Sequence, residues 1–204
     1  MRTTSTMPRT ASGVPGSRTY LASLLFLVGA FASPGTARGQ ESPLSDHTRF
    51  MYAGVKILLV RSAEKMPEEH YGFRPTESVR TFGEIIGHVT DWQYRYCSTV
   101  LGEKNPRPVI DRTKASKTEL VATLKEAVAY CDRAYDGLSD STAVQLVKLG
   151  MDMPKLGVLN INNIHSTEHY GNLVTYLRMK NIVPPSSEPG FTVQPPKRST
   201  RDER

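Results

Sequence analysis

Acidic residues are missing from the first 40 positions of this 204-residue chain, which carry Arg2, Arg9, Arg18 and Arg38 and neither Asp nor Glu. The net charge of +6 is therefore held unevenly, since residues 41–204 carry 22 Lys+Arg against 20 Asp+Glu, a balance of +2. A nucleic-acid-binding domain needs its basic excess on the folded surface, so no nucleic-acid partner is expected. A long apolar run is missing too. The stretch YLASLLFLVGAFA, from Tyr20 to Ala32, has 13 residues, against about 20 needed to cross a bilayer. No membrane span is expected in the mature form. No cysteine follows that run, which argues against a lipoprotein, and no Arg-Arg pair precedes it, which argues against the twin-arginine route. Cysteine is scarce, with only Cys97 and Cys131, and there are no internal repeats.

What the N-terminus does contain reads as a secretory signal. An Arg-containing polar lead ends at Arg18, the apolar run follows, then Ser33-Pro34-Gly35 as breakers and Ala37-Arg38-Gly39 as a small-x-small cleavage site. Residues 1–39 are therefore expected to be a signal peptide, and the mature protein to be exported to the periplasm or the extracellular space. Export makes a disulfide chemically permissible, but spacing cannot show whether the geometry allows one. As small apolar side chains, Cys97 and Cys131 are read as free and buried, a disulfide between the second and third helices being the alternative.

Four helical stretches follow. The first, from about Leu44 to Met66, takes Ser45 or Asp46 as N-cap, with Phe50, Met51, Val55, Leu58 and Leu59 at helical spacing. The second starts near Glu77 or Ser78, with a stripe of Val79, Phe82, Ile85, Ile86, Val89, Trp92 or Gln93, and Tyr96. The third begins at Ser116, whose partner in a capping box is Glu119, and buries Leu120, Leu124, Ala127, Val128, Cys131, Ala134 and Leu138. VQLVKL (Val144–Leu149) has the pattern of a short strand, but one strand has no sheet to join. Pro154 suits the first turn of the fourth helix, which runs to about Asn181 before Pro184-Pro185 forbid continuation. The reading is all-α: a four-helix bundle over 44–183, then a flexible tail over 184–204 that is polar and rich in Pro and Ser.

Chemistry concentrates on the fourth helix. His165 and His169 are four residues apart and stack on one face, a spacing at which two imidazoles can reach one ion. The same spacing also fits two half-buried histidines bonded to neighbours. His88, mid-way along the second helix, points to the edge of its apolar stripe and is available as a third ligand. His47, at a helix start, and His70, in a turn, are read as solvated. Glu168 lies between the paired histidines and is the candidate general base or orienting group. Asp91 and Tyr176 are weaker candidates, and Trp92, Asn162, Asn172 and Tyr176 are expected to line a pocket beside the ion.

The segments YGFRPTESVRTFGEIIGHV and HSTEHYGNLVTYLRMKNIVPPSS resemble the DinB-like superfamily of small metal-binding four-helix bundles, over about Asp46 to Ser187. The first matches its aromatic-x-Pro, Arg-Thr/Ser and helix-two His region, the second its His-x-x-x-His, Gly-Gln/Asn and Tyr-Leu-Arg ending. The resemblance implies a divalent metal, zinc or nickel foremost, held by His88, His165 and His169. Three protein ligands leave positions open, the mark of a catalytic site, and family members include thiol-dependent transferases and a maleylpyruvate isomerase. The implied function is that of a metal-dependent hydrolase or thiol transferase acting on a small-molecule substrate, with a non-catalytic metal-binding or partner-binding bundle as the alternative. A homodimer is left open. Two positions depart from the family pattern: Glu168 stands where a second His is common, and Asn172 where a Gln is common.

Overall fold

A computed structural model describes residues 42–107 and 115–193. The expected signal peptide, 1–39, lies outside the described residues, as does the tail from position 194. The described chain is mostly helical: α1 (Pro43–Lys65), α2 (Phe82–Leu101), α3 (Lys117–Asp136), a single turn α4 (Asp140–Ala143), strands β1 (Leu146–Leu149) and β2 (Met151–Pro154), and α5 (Lys155–Met179). The helical class is as expected, but the helix count is five. None of these helices is long and apolar enough to cross a membrane.

The long helices pack in a ring, α1 against α3 and α5, and α2 against α3 and α5. Their inward faces supply Tyr52, Val55, Leu59, Phe82, Ile86, Leu120, Leu124, Leu159, Leu173 and Leu177, all buried. The stripe of α1 runs through Thr48, Tyr52, Val55, Leu59, Ser62 and Ala63. Met51, expected inside, is 47 % exposed. Tyr52 took its place because its ring stacks on Tyr135, with centroids 3.8 Å apart, and its hydroxyl donates to the Val128 carbonyl at 3.2 Å.

The helix starts are set by local hydrogen bonds. Ser116 and Glu119 form the expected capping box on α3. A second box, Thr81 with Glu84, starts α2 at Phe82, four or five residues later than Glu77 or Ser78. The intervening residues 76–80 are therefore an exposed loop. On α1 neither Ser45 nor Asp46 is the cap. Pro43 opens the helix, Ser42 makes no side-chain cap bond, and the orphan amides of Ser45 (2.8 Å) and Leu44 (3.3 Å) donate to the Asp140 carboxylate of α4. Burial alone would raise the Asp140 carboxyl, but these bonds and nearby Arg49 hold it below the usual carboxylate range.

VQLVKL does find a partner. β1 and β2 form an antiparallel hairpin with Val147 opposite Met153 and Leu149 opposite Met151, turning at Gly150, whose φ of +75° suits glycine. Val147, Leu149 and Met153 pack against the core, so the all-α reading misses one hairpin, and Pro154 ends a strand as the N-cap of α5 instead of entering its first turn.

Two further expectations are corrected. Cys97 and Cys131 are not free: they form a disulfide between α2 and α3, Cα atoms 5.2 Å apart, inside the range a disulfide requires. The segment expected to be flexible from Pro184 instead packs on α1 as far as Val193. Pro185 is buried, Glu188 pairs with both Arg61 and Lys65, and Val193 lies so close to Gly54 that a Cβ there would sit 3.1 Å from it.

Candidate metal centre

The capping box at Thr81 sets the register of α2. Ile85, Ile86 and Val89 then face the core, while His88 and Trp92 fall on its flank, half-buried, toward α5. On α5 the four-residue spacing stacks His165 above His169 on the side that meets α2. The three rings converge: centroids are 5.0 Å apart for His88–His165, 4.7 Å for His88–His169 and 4.5 Å for His165–His169. The Nε2 atom of His165 lies 3.1 Å from Nε2 of His88 and 3.1 Å from Nε2 of His169. His47 is exposed and His70 half-buried, and neither belongs to the cluster.

Convergence of this kind is a test of what the cluster is for. An imidazole nitrogen has one in-plane position, holding either a proton or a lone pair. The His165 Nε2 can therefore complete one well-aimed hydrogen bond, and the second contact must share the same position or set like against like. A single cation resolves all three. Two nitrogens each about 2.0–2.1 Å from a tetrahedral ion are about 3.3 Å apart, close to the separations observed. Burial, helped by His169 and Arg80, pushes the His165 imidazole down to about 4. Burial likewise lowers His169, with Glu168 opposing and Arg80 adding. Both rings are therefore neutral near pH 7, the form in which they can ligate. The residues present thus fit a divalent ion held by three histidines.

The surroundings differ from ring to ring. Nδ1 of His169 lies 3.3 Å from the Asn172 amide. The atom of Asn172 at that distance is Nδ2; with His169 Nε2 as ligand Nδ1 would carry a proton, and the Asn172 amide would turn over to present Oδ1 to it. Nδ1 of His165 is buried with no hydrogen-bond partner among the described residues. The Trp92 ring stands 5.6 Å from His165 and 6.2 Å from His88, walling one side. Glu168 is exposed on α5 and acts on His169 through its charge. Asp91 is half-buried on α2.

The other side is open. A groove of about 770 Å³ runs past His169, lined by Arg74, Val79, Arg80, Ile85, Asn172 and Tyr176 among others. Asn172 and Tyr176 line it as expected. Trp92 does not, and Asn162 is buried in the core, its amide donating to Gln93 Oε1 (3.0 Å) and Tyr135 (3.1 Å). What the sequence reading missed is the loop that builds the far wall. Arg80 directly precedes the Thr81 capping box, and the Tyr176 hydroxyl donates to its carbonyl at 2.6 Å. The missed signal was the box itself, which turns residues 77–80 from helix into loop and puts Val79 and Arg80 on the groove wall.

A model of the DinB superfamily matches residues 58–173, more than half of the chain. The chain belongs to the DinB superfamily. Within that superfamily, the uncharacterized protein YjoA of Bacillus subtilis (strain 168) is 24% identical over 123 residues, covering 57% of this chain and 77% of YjoA. Two solved DinB-like structures share the fold. The Bacillus subtilis YjoA structure has a TM-score of 0.56 at 16% identity, covering 76% of this chain and 99% of that one. A DinB-like protein from Bacillus cereus ATCC 10987 has a TM-score of 0.55 at 14% identity, covering 72% and 95%. The match spans all three histidines, so the DinB fold and the converging imidazoles occupy the same segment of the chain.

Proposed function

We propose that this DinB protein is an exported metal-dependent hydrolase whose divalent ion is held by His88, His165 and His169. The observation that carries the reading is the pair of 3.1 Å Nε2–Nε2 contacts meeting at His165, which one cation satisfies fully and hydrogen bonding only by sharing a single nitrogen. A divalent ion so bound polarises a substrate oxygen and lowers the pKa of a water or thiol that reaches it. The chain's own groups do the rest: Trp92 closes one side against water, Asn172 stands against His169, and the charge of Glu168 bears on His169 from outside the groove. The groove beside His169 admits a small-molecule substrate, which favours catalysis over sequestration. Hydrolysis is preferred to thiol transfer because the Cys97–Cys131 disulfide belongs with an oxidising compartment, where small reduced thiols are scarce. The same disulfide supports export, to which the signal-like segment 1–39 adds.

Purified protein is expected to contain about one divalent ion per chain by elemental analysis. The triple variant His88→Ala, His165→Ala, His169→Ala should contain none, and full metal content in it would end the assignment. Glu168→Gln should keep the ion and change turnover on an ester or amide panel only modestly, since its charge reaches His169 but its side chain does not line the groove. Loss of turnover would instead make Glu168 the base.

A further inference from the structure

Two arginines, Arg74 and Arg80, and one carboxylate, Glu84, stand on the groove wall. Arg74 is answered by Glu77. Glu84 is engaged in capping α2, its carboxylate accepting from the Thr81 amide at 2.7 Å. Arg80 makes no ion pair among the described residues, and its backbone is pinned to α5 through Tyr176. The charge of Arg80 acts on both His165 and His169, lowering each, so it lies within electrostatic reach of the cluster. A divalent ion on three neutral imidazoles would add a second positive centre on the same groove. The acidic neighbour of His169 is Glu168, which is exposed and does not line the groove. An arginine free of any ion pair among the described residues, beside the place a divalent ion would occupy, attracts an anion between them.

The groove also states what kind of anion. A single guanidinium offers one planar fork, the match for one carboxylate. Beyond it the wall is mixed, with an apolar part made of Val79, 42 % exposed, Ile85 and the Tyr176 ring. We infer that Arg80 anchors an organic acid in this groove, its carboxylate on the guanidinium and its apolar body against Val79, Ile85 and Tyr176. The inference rests on the metal reading above, because an ion on the three histidines would lie beside the groove that His169 lines.

Calorimetric titration of the metal-loaded protein with acetate, butyrate and benzoate tests it, with benzamide and inorganic phosphate as comparisons. Benzoate should bind more tightly than acetate, and benzamide about tenfold or more weaker than benzoate, the loss expected for a charge-assisted hydrogen bond. Arg80→Gln should lose benzoate affinity by a similar factor, and Arg80→Lys should recover part of it. Both variants should keep wild-type metal content and thermal melting, since the Arg80 side chain is exposed. Equal binding of benzoate and benzamide, wild-type affinity in Arg80→Gln, absence of binding by all three acids, or phosphate binding above benzoate would each overturn the anchor. The two readings fail separately. If the purified protein holds no ion while benzoate binding still depends on Arg80, the metal centre falls and the anchor stands.

Discussion

Two polar clusters join α2 to α5, about a helical turn apart, and they are built on opposite principles. In the first, Gln93 donates to Ser166 at 2.9 Å and accepts from Asn162 at 3.0 Å. Asn162 also donates to the Tyr135 hydroxyl at 3.1 Å, and that hydroxyl reaches Asn163 Oδ1 at 2.9 Å. Nearly every donor in it has an acceptor within the protein. Asn162 Oδ1 is an atom without a partner among the described residues. In the second, three imidazoles turn the same atom toward one point and leave the contact at His165 incomplete. The first cluster is bonded through all but that one oxygen; the second is an interior waiting for a ligand. A buried polar group is costly unless bonded, so the difference in bonding separates scaffold from site without reference to residue type.

Removing the disulfide should have the largest effect on this contrast. It closes a loop with a sequence separation of 34 and lies beside the satisfied cluster, Asn162 Nδ2 being 3.9 Å from Cys131 Sγ. The double variant Cys97→Ser, Cys131→Ser should lose about 4 kcal/mol in chemical denaturation and keep its metal content. Loss of the metal with little loss of stability would mean that the two clusters are not independent.

A matched pair of substitutions comes next. Gln93→Leu strands Ser166 and Asn162 and should destabilise the metal-free protein by about 1–3 kcal/mol. His165→Leu removes a ring with an unanswered nitrogen and should cost the metal-free protein less, while abolishing metal binding. Equal losses in the two variants, read by denaturation in chelator, would erase the distinction drawn here.

The smallest effect lies outside both clusters, where residues 184–193 lie along α1. Bonds from Lys65, together with the charge of Arg61, hold the Glu188 carboxyl below the usual glutamate range. A depressed acid stabilises the fold above its unfolded pKa, and that contribution disappears as pH falls through the folded value. Amide exchange in this segment should therefore rise as pH drops below the ordinary glutamate range, after correction for intrinsic rates. Glu188→Gln should show the raised exchange already at neutral pH, with metal content unchanged. A segment equally protected in both proteins would show that Pro185 and Val193 hold it without the ion pair.

Much of this could be read from residues alone. Ser116 and Glu119 declared the start of α3, and the stripe from Leu120 to Leu138 is buried as its spacing demands. His165 and His169 were visible as a pair, and His88 joined them through the family pattern. The rest was hidden for physical reasons. Glu77 and Ser78 offered an earlier helix start than Thr81, and choosing it turned the groove wall into helix. The cap of α1 comes from Asp140, 95 positions beyond Ser45, and no local pattern announces it. MDMP lacks the β-branched residues that mark a strand, so the partner of VQLVKL went unseen. Cys97 lies on the side of α2 turned from His88; that placement excludes it as a ligand and also faces it toward α3 and Cys131.

Asp140 has one more consequence, for the order of events as the chain folds. The first turn of α1 is completed by a carboxylate that emerges from the ribosome almost a hundred residues later. Until α4 forms, the leading amides of α1 have no partner but water, and a contact so distant in sequence is slow to close. The first turn of α1 thus latches only after α4 is in place.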